Sequence, residues 1–499
     1  MKKASMTESA IESKVWKLAT VMSTAGVASM DYIRQLTYIL FLKMDQENSD
    51  LYKIESQLPE DCRWHKLLEF TMKGEELVNR YNYILTTLSK QDGLVGSIFV
   101  RAKNEINKPS HLKKIIEFVN EENWLSNSDI KGVIYESILA KTGQADSKSS
   151  AGQYFTPRPL VQAIVDCVAP KATERVCDPA CGTGGFLLAA CDYVESHESN
   201  IKKKAQFKRE FLTGNDISPL LVTLASMNMY LHDIGIGSVP IQCKDSLEKE
   251  PENLVDVVLA NPPFGTRAQE AGAVREMLVE TSDNQLNFLQ HFMLSLKNNG
   301  RAGVVIPDSV LFAGEKGSAA QILREKLLKD LNLHTILRLP KGIFYANGIS
   351  ASVLFFEKGS PTKNIWFYDY RTGIKKTLKK NPLKRDDLAD FVSCYCPEHL
   401  ENRKETWSED NPNGRWRKFP VETFLSDNRI YMDISWITKK DELEGVSLTD
   451  LLGELSSKSE EISKAIGELS TLLYFPRLEF NYKPHSTAVV LFNNRLNTM

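Results

Sequence analysis

The sequence predicts an α/β protein: a doubly wound, mostly parallel sheet, preceded by an all-helical N-terminal domain and followed by a C-terminal helical extension. From about residue 154 to 360, short apolar runs alternate with helical stretches, which is typical of parallel strands joined by crossover helices. From about residue 8 to 141, apolar side chains recur at three- and four-residue spacing, which predicts helices. Near the C-terminus, leucine and isoleucine recur four and three residues apart, which predicts one long helix.

Length and composition bound the number of domains and the kind of surface. A chain of 499 residues with 42% apolar residues is long enough for two or three domains. We predict domain bounds of 1–145, 146–425 and 426–499. The net charge is −2, from 62 basic and 64 acidic residues, so the whole molecule lacks the basic field that would mark a nucleic-acid binder. Any DNA contact must come from a local basic surface or from a partner.

The cysteines and the N-terminal residues indicate an intracellular protein. The eight cysteines are scattered, and neither Cys177/Cys181 nor Cys394/Cys396 has a second pair at the spacing of a zinc site. We therefore expect reduced cysteines and no metal. The start, M-K-K-A-S-M-T-E, has no apolar signal segment, and no run approaches the roughly 20 apolar residues of a membrane span. The sequence predicts a soluble, cytoplasmic protein with no membrane partner.

Two segments predict the helices of the N-terminal domain. Residues 31–45, D-Y-I-R-Q-L-T-Y-I-L-F-L-K-M-D, place Ile33, Leu36 and Leu40 at helical spacing. Residues 126–140, S-N-S-D-I-K-G-V-I-Y-E-S-I-L-A, begin with cap-type residues and continue with apolar residues on one side. The polar segment 141–153 has no periodicity and is predicted to be a boundary loop.

Six apolar runs in the middle of the chain are strand candidates. They are E-R-V-C-D, F-L-T-G-N-D, P-I-Q-C-K-D, V-D-V-V-L-A-N, G-R-A-G-V-V-I-P and A-S-V-L-F-F-E-K. Several of them end in Asp or Asn. Ligands of doubly wound sheets bind at the carboxyl ends of the strands, so these polar endings point to one shared site.

A glycine turn follows the first of these strands. D-P-A-C-G-T-G-G-F, from Asp178 to Phe186, separates the strand from a helical run, and such a turn lets a ligand approach backbone N–H groups at a helix N-terminus. Gly182, Gly184 and Gly185 lack the third glycine of the dinucleotide fingerprint, which disfavours NAD. A turn without a ligand is the alternative, because glycine loops are common in this fold.

Acidic residues end the first three strand candidates. Asp216 is placed to accept hydrogen bonds from ribose hydroxyls, and Asp245 could accept one from an adenine amino group. Each acid alone is typical of a helix N-cap. Asp178, Asp216 and Asp245 in sequence order favour a ligand that contains adenosine.

The fourth strand candidate ends in N-P-P-F, from Asn261 to Phe264. The amino nitrogen of adenine is a poor nucleophile, since its lone pair is delocalised into the ring. The Asn261 side-chain oxygen and the Pro262 carbonyl could accept one N–H each and localise that pair, while Pro262 and Pro263 stiffen the backbone. Phe264 offers a ring for stacking an extruded base. The alternative is a turn that merely ends a strand.

Together these motifs carry a resemblance to a known family. D-P-A-C-G-T-G-G-F followed by N-P-P-F resembles the amino-group methyltransferases that use S-adenosylmethionine. G-Q-Y-F-T-P-R-P-L, from Gly152 to Leu160, and R-L-P-K-G-I-F-Y-A-N-G, from Arg338 to Gly348, are similar to the modification (M) subunit of type I restriction-modification systems. The resemblance implies an S-adenosylmethionine-dependent methyltransferase fold and N6-adenine methylation of double-stranded DNA.

The resemblance also assigns residues. It implies that Phe344 stacks on the other face of the target adenine, opposite Phe264, and that Asp216 and Asp245 hold the ribose and adenine of the cofactor. The glycine turn, Thr183 with Gly184 and Gly185, would lie against the cofactor. The methionine part of the cofactor would contact the residues Gln153, Tyr154, Phe155, Thr156, Pro157 and Arg158.

The resemblance implies partners as well: a specificity (S) subunit that binds two M subunits, and a restriction (R) subunit. Little chain remains after Gly359 for a separate recognition domain, which favours borrowed specificity. The C-terminal heptad helix is the candidate S contact, or else an amphipathic helix packed on its own domain; its seam is Leu448, Leu452, Leu455, Ser459, Ile462, Ile466, Leu469 and Leu473. Two alternative functions stay open: methylation of RNA adenine or protein amide, and non-catalytic clamping of DNA. No nuclease constellation accompanies the motifs.

Overall fold

The fold is described from a computed structural model. It describes residues 17, 29–106, 108–125, 156–264, 276–344, 349–378, 380–426 and 428–437. The predicted helix at 126–140, the boundary loop at 141–153 and the heptad helix at 448–473 lie outside these ranges. The predicted domain bounds stay predictions.

Helices make up the regular structure that is described before residue 126. They are α1 (Ser29–Tyr52), α2 (Trp64–Leu68), α3 (Glu75–Leu88), α4 (Gly93–Phe99) and α5 (Pro109–Asn120), with a 3-10 turn at Glu60–Cys62. In α3, Leu77, Tyr81 and Ile84 are buried at helical spacing, so the apolar face of the helix turns inward. The prediction of a helical N-terminal region is confirmed.

A nine-stranded mixed sheet forms the centre of the catalytic region, in the order β3-β2-β1-β4-β5-β7-β6-β8-β9. The strands are β1 (Val176–Asp178), β2 (Leu212–Asp216), β3 (Ile241–Cys243), β4 (Val255–Ala260), β5 (Leu296–Pro307), β6 (Leu331–Arg338), β7 (Ala351–Lys358), β8 (Asn364–Asp369) and β9 (Trp416–Pro420). The first five are parallel, in a register that sets Val176 beside both Leu212 and Val257.

Helices pack on both faces of the sheet and give two apolar layers. They are α6 (Arg158–Val168), α7 (Gly185–His197), α8 (Ile201–Gln206), α9 (Pro219–Leu231), α10 (Asn284–Ser295), α11 (Ser309–Phe312), α12 (Ala319–Lys329), α13 (Ala389–Tyr395) and α14 (Glu422–Leu425). A π turn lies at Phe207–Phe211, and 3-10 turns lie at Arg385–Leu388 and Leu400–Asn402. Strand β4 is apolar on both sides because Val257 and Leu259 join one layer while Val258 and Ala260 join the other. The doubly wound prediction is confirmed.

Two features of the sheet differ from the sequence prediction. All six predicted strands form, but β7 runs antiparallel to both β5 and β6. Its connection from β6 contains no helix among its described residues, and a parallel return would need a crossover. Strands β6, β8 and β9 were not predicted; they extend the sheet on the far side of β7.

The helical region is bonded directly to the sheet region. The Tyr230 hydroxyl, on α9, donates to Asp45 on α1 at 2.8 Å and accepts the Gln57 N–H at 3.0 Å. The Ser56 hydroxyl donates to the other Asp45 oxygen at 2.7 Å. These bonds join the two regions through one buried carboxyl. Among the described helices, none is long and apolar enough to cross a membrane.

Candidate active site

The glycine turn between β1 and α7 is fastened to its neighbours by three hydrogen bonds. The Cys181 N–H donates to the Asn215 carbonyl at 2.9 Å, and the Gly182 N–H donates to Asp216 Oδ2 at 3.0 Å. From α9, Asn228 Nδ2 donates to the Thr183 carbonyl at 2.9 Å. The turn is therefore held in place before any ligand arrives, which lowers the entropy cost of binding.

Gly184 is required by the shape of this turn. Its φ is +85°, and a Cβ placed there would lie 2.9 Å from Met229 Cε. The next glycine differs, because a Cβ on Gly185 meets nothing within 4 Å. Gly184 is thus needed for the backbone conformation of the turn. Gly185 leaves open space at the N-terminus of α7, where a ligand can approach.

Two buried carboxyls lie behind the turn. Burial, with a smaller contribution from the charge of Asp216, raises the pKa of Asp178 to about 8, against one N–H bond from Ala180. Burial also raises the pKa of Asp216, opposed by the N–H groups of Ser218 and Gly182. A nearby cation would favour the ionised form of both. Asp216 retains lone pairs for hydroxyl donors, since each carboxylate oxygen accepts more than one bond.

Asn261 stands at the end of β4 with its amide oriented by Thr156. Asn261 Nδ2 donates to Thr156 Oγ1 at 2.8 Å. Asn261 Oδ1 is buried and has no hydrogen-bond partner among the described residues. A buried acceptor without a donor is costly, so this oxygen is suited to receive an N–H group from a ligand. Pro262 follows and is buried.

The two predicted stacking residues meet in the structure. The ring centroids of Phe264 and Phe344 are 6.2 Å apart and the rings are nearly perpendicular, at 84°. Phe344 is buried and Phe264 half-buried. A base between two parallel faces would require one ring to turn, because the edge of one ring now points at the face of the other.

A cavity of about 490 Å³ lies between the glycine turn and Asn261, and neither Phe264 nor Phe344 is among the residues that line it. This volume is within the usual range for a small-molecule site. Six of the predicted residues line it: Thr156, Arg158, Asp178, Thr183, Gly185 and Asn261. Its walls continue along α6 and α7, with Val161 and Phe186 among them, and include Arg385.

The other predicted residues lie around this cavity or outside the described ranges. Pro157, Gly182, Gly184 and Asp216 are next to residues that line it. Asp245 instead lines a neighbouring cavity of about 220 Å³ with Asn215 and Lys244, and its Oδ1 accepts the Leu247 N–H at 2.8 Å. Gln153, Tyr154 and Phe155 lie outside the described residues.

Most of the residues that line the cavity were not predicted, and Arg385 is one of them. Arg385 forms an ion pair with Asp166 at the cavity wall. Ile217 follows Asp216 and is 70% exposed, which is unusual for isoleucine and gives the carboxyl edge an apolar surface. Ile217 could have been recognised in the sequence as an apolar residue that directly follows an acidic strand end. Nothing in the sequence around Arg385 indicates a place in the site.

Comparisons with known proteins identify the family of this chain. The family model described as N-6 DNA Methylase matches residues 126–411, and that described as HsdM N-terminal domain matches residues 11–119. The type I restriction enzyme StySJI methylase subunit of Salmonella typhimurium is 34% identical, over 94% of this chain and 95% of its own.

Two solved structures of proteins from type I restriction-modification systems are also similar to this chain. A modification subunit of a putative type I restriction enzyme from Vibrio vulnificus has a TM-score of 0.73 and 25% identity, covering 90% of this chain and 100% of that one. A chain from a study of complex assembly and conformational transition of the type I R-M system has a TM-score of 0.67 and 26% identity, covering 94% of this chain and 99% of that one.

Proposed function

The chain belongs to the N-6 DNA methylase family, among the methylase subunits of type I restriction enzymes, and we propose that its cavity holds S-adenosylmethionine beside an adenine extruded from double-stranded DNA. The protein is a site-specific DNA adenine-N6 methyltransferase. The observation that carries the assignment of the acceptor site is Asn261 Oδ1, a buried acceptor without a described donor at the cavity wall.

The residues present fit the cofactor. S-adenosylmethionine, when bound, supplies an electrophilic methyl group on a positively charged sulfur. The buried Asp178 and Asp216 carboxyls would be stabilised in their ionised forms by that cation, and the glycine turn allows close approach of the ligand to the backbone. We assign its methionine part to Thr156, Pro157 and Arg158, its ribose to Asp216, and its adenine to Ile217 and Asp245; Thr183, Gly184 and Gly185 would lie against it.

The chain's contribution to methyl transfer is orientation and hydrogen bonding. Asn261 Oδ1 and the Pro262 carbonyl accept the two N–H groups of the target amino nitrogen and direct its lone pair toward the methyl group. Thr156 holds the Asn261 amide so that its oxygen faces the cavity. Phe264 and Phe344 contact the base faces. Catalysis by positioned acceptors requires no covalent nucleophile.

We infer that sequence recognition comes from a partner. The chain has a net charge of −2, so it lacks an overall basic field for binding DNA, and it is similar to a methylase subunit of a type I restriction enzyme over 94% of its length. We propose an assembly of two copies with one specificity subunit, joined by a restriction subunit, on double-stranded DNA. The predicted heptad helix at 448–473 is the proposed contact with the specificity subunit.

The test compares two Asn→Ala variants at opposite ends of β4. The chain is co-expressed with its specificity subunit, incubated with DNA and S-adenosylmethionine, and N6-methyladenine is quantified by nucleoside mass spectrometry. We expect Asn261→Ala to lose at least 10²-fold in rate, as loss of one oriented transition-state hydrogen bond does elsewhere. Asn253→Ala, exposed before the amino end of β4, should keep the wild-type rate.

The outcomes separate the alternatives. Equal rates for both variants would show that Asn261 does not hold the acceptor. Label transferred to RNA or protein, with none in DNA, would indicate a different acceptor. Binding of DNA and cofactor by the wild-type complex without any methyl transfer would favour a non-catalytic clamp.

A further inference from the structure

A strongly basic segment lies between the end of β8 and α13. Residues 371–385, R-T-G-I-K-K-T-L-K-K-N-P-L-K-R, contain seven basic residues and no acidic one, in a chain whose net charge is −2. We call it the basic loop. Methyl transfer as described above uses none of these residues, although Arg385 lines the cavity.

The basic loop contacts the turn that carries Phe344 and the wall of the cavity that Asn261 lines. At one end, the backbone of Lys376 touches the turn that carries Phe344: a Cβ on Gly342 would lie 2.3 Å from the Lys376 carbonyl oxygen. At the other end, Arg385 pairs with Asp166 on α6 and lines the cavity that contains Asn261. The loop therefore borders the site where the base must enter.

Hydrogen bonds hold the described parts of the loop, residues 371–378 and 380–385, to one another. The Asn381 N–H donates to Thr377 Oγ1 at 2.8 Å, and Asn381 Nδ2 donates to the Lys375 carbonyl at 2.7 Å. Lys376 is half-buried and bonded to Asp387 at 2.6 Å. Arg371 pairs with Asp369 and Asp433, so three of the basic groups, Arg371, Lys376 and Arg385, serve the loop's own attachment.

Lys380 and Lys384 differ from these anchoring residues. Both are exposed, and neither forms an ion pair with an acidic side chain of the described residues. Lys341, in the adjoining turn, is exposed as well. These lysines expose their positive charge to solvent beside the cavity. A surface lysine that is already paired with a carboxylate would attract an anion only weakly.

We propose that the basic loop binds the backbone phosphates that flank the extruded adenine, with Lys380 and Lys384 as the phosphate ligands. An extruded base remains attached to its sugar and two phosphates, so these anions must reach the rim of the base pocket. Unpaired lysines on a loop at that rim supply the counter-charge that the molecule as a whole lacks. The inference rests on the proposed methylation of DNA. An acidic protein could contact the same lysines, but the position beside the base pocket favours DNA.

The test measures the salt dependence of DNA binding by the complete methylase complex. Affinity for duplex DNA is determined by fluorescence anisotropy over a range of NaCl concentrations for the wild type and for Lys380→Gln/Lys384→Gln. Each lost phosphate contact lowers the slope of log affinity against log salt by about 0.9, so we expect a decrease of about 1.8 for each loop on the DNA. The affinity should fall equally for target and non-target sequences.

A matched double variant controls for charge alone. Lys171→Gln/Lys202→Gln removes two exposed lysines near the amino ends of β1 and β2, at the opposite edge of the sheet, and should leave the slope unchanged. The Lys380/Lys384 variant should keep its rate at saturating DNA while its KM for DNA rises.

The outcomes distinguish this inference from the proposed function. If the wild-type complex methylates DNA and the Lys380/Lys384 variant keeps the wild-type slope, the basic loop does not bind phosphate, and the proposed function stands. An unchanged slope with loss of complex assembly would assign the lysines to a protein contact and also overturn the inference. A wild-type complex that transfers no methyl group to DNA would instead refute the proposed function.

Discussion

The bond between Thr156 and Asn261 gives a sharp prediction about positioning. Thr156→Val removes the hydroxyl that accepts from Asn261 Nδ2 at 2.8 Å and keeps the shape of the side chain. Loss of this hydrogen bond costs about 1–3 kcal/mol, because a buried amide donor is left without a partner. If that cost is expressed as misorientation of the Asn261 oxygen in the transition state, the methylation rate falls by roughly 5- to 150-fold. Thr156→Ser keeps a hydroxyl and should retain most of the rate.

The assay must separate positioning from cofactor binding, because Thr156 also lines the cavity assigned to the cofactor. We would measure kcat at saturating DNA and cofactor by nucleoside mass spectrometry, and the cofactor Kd by calorimetry. A lower kcat for Thr156→Val at a cofactor Kd close to that of Thr156→Ser is the expected result. Equal kcat values for the two variants, or a loss explained entirely by weaker cofactor binding, would refute the reasoning.

Two further predictions concern the glycine turn and the carboxyl behind it. Gly184→Ala should lower the free energy of unfolding by at least 1–2 kcal/mol, because its φ of +85° is unfavourable for alanine and its Cβ would lie 2.9 Å from Met229 Cε, whereas Gly185→Ala should be nearly neutral in a melt without cofactor. The raised pKa of Asp178, about 8, means that the folded state binds a proton that the unfolded state has already released above about pH 4. Its contribution to stability is therefore complete below about pH 4 and is lost as the pH rises from about 4 through 8, so the Tm of Asp178→Asn should rise relative to the wild type over that range and level off above it; a Tm difference that does not change between about pH 4 and 9 would contradict this.

Helix α9 connects the helical region to the glycine turn through three consecutive residues. Asn228 bonds to the Thr183 carbonyl, Met229 fills the space beside Gly184, and the Tyr230 hydroxyl donates to Asp45 on α1. Successive residues of a helix point about 100° apart, so one helix can contact the turn on one side and α1 on another. The helical region is thus joined to the glycine turn through a single helix.

The strand ends were predictable because they depend on local sequence. The runs around Asp178, Asp216 and Asn261 are short, apolar and followed by polar residues, and in a doubly wound sheet such endings must meet at one edge. The cavity accordingly contains Asp178, Thr183 and Asn261. Asp245 ends its strand as predicted, yet it lines the neighbouring cavity, because β3 lies at the outer edge of the sheet.

Contacts between distant segments could not be predicted in the same way. Thr156 and Asn261 are 105 positions apart, and no local pattern specifies which hydroxyl meets the amide. Strand β6 was missed for a related reason: its last residue, Arg338, is fully buried and reads as a surface charge in sequence. It is buried because Asp308, beyond the end of β5, accepts from it at 3.0 Å. A buried charge is tolerated only with such a partner, so the strand becomes recognisable once the neighbouring strand end is in place.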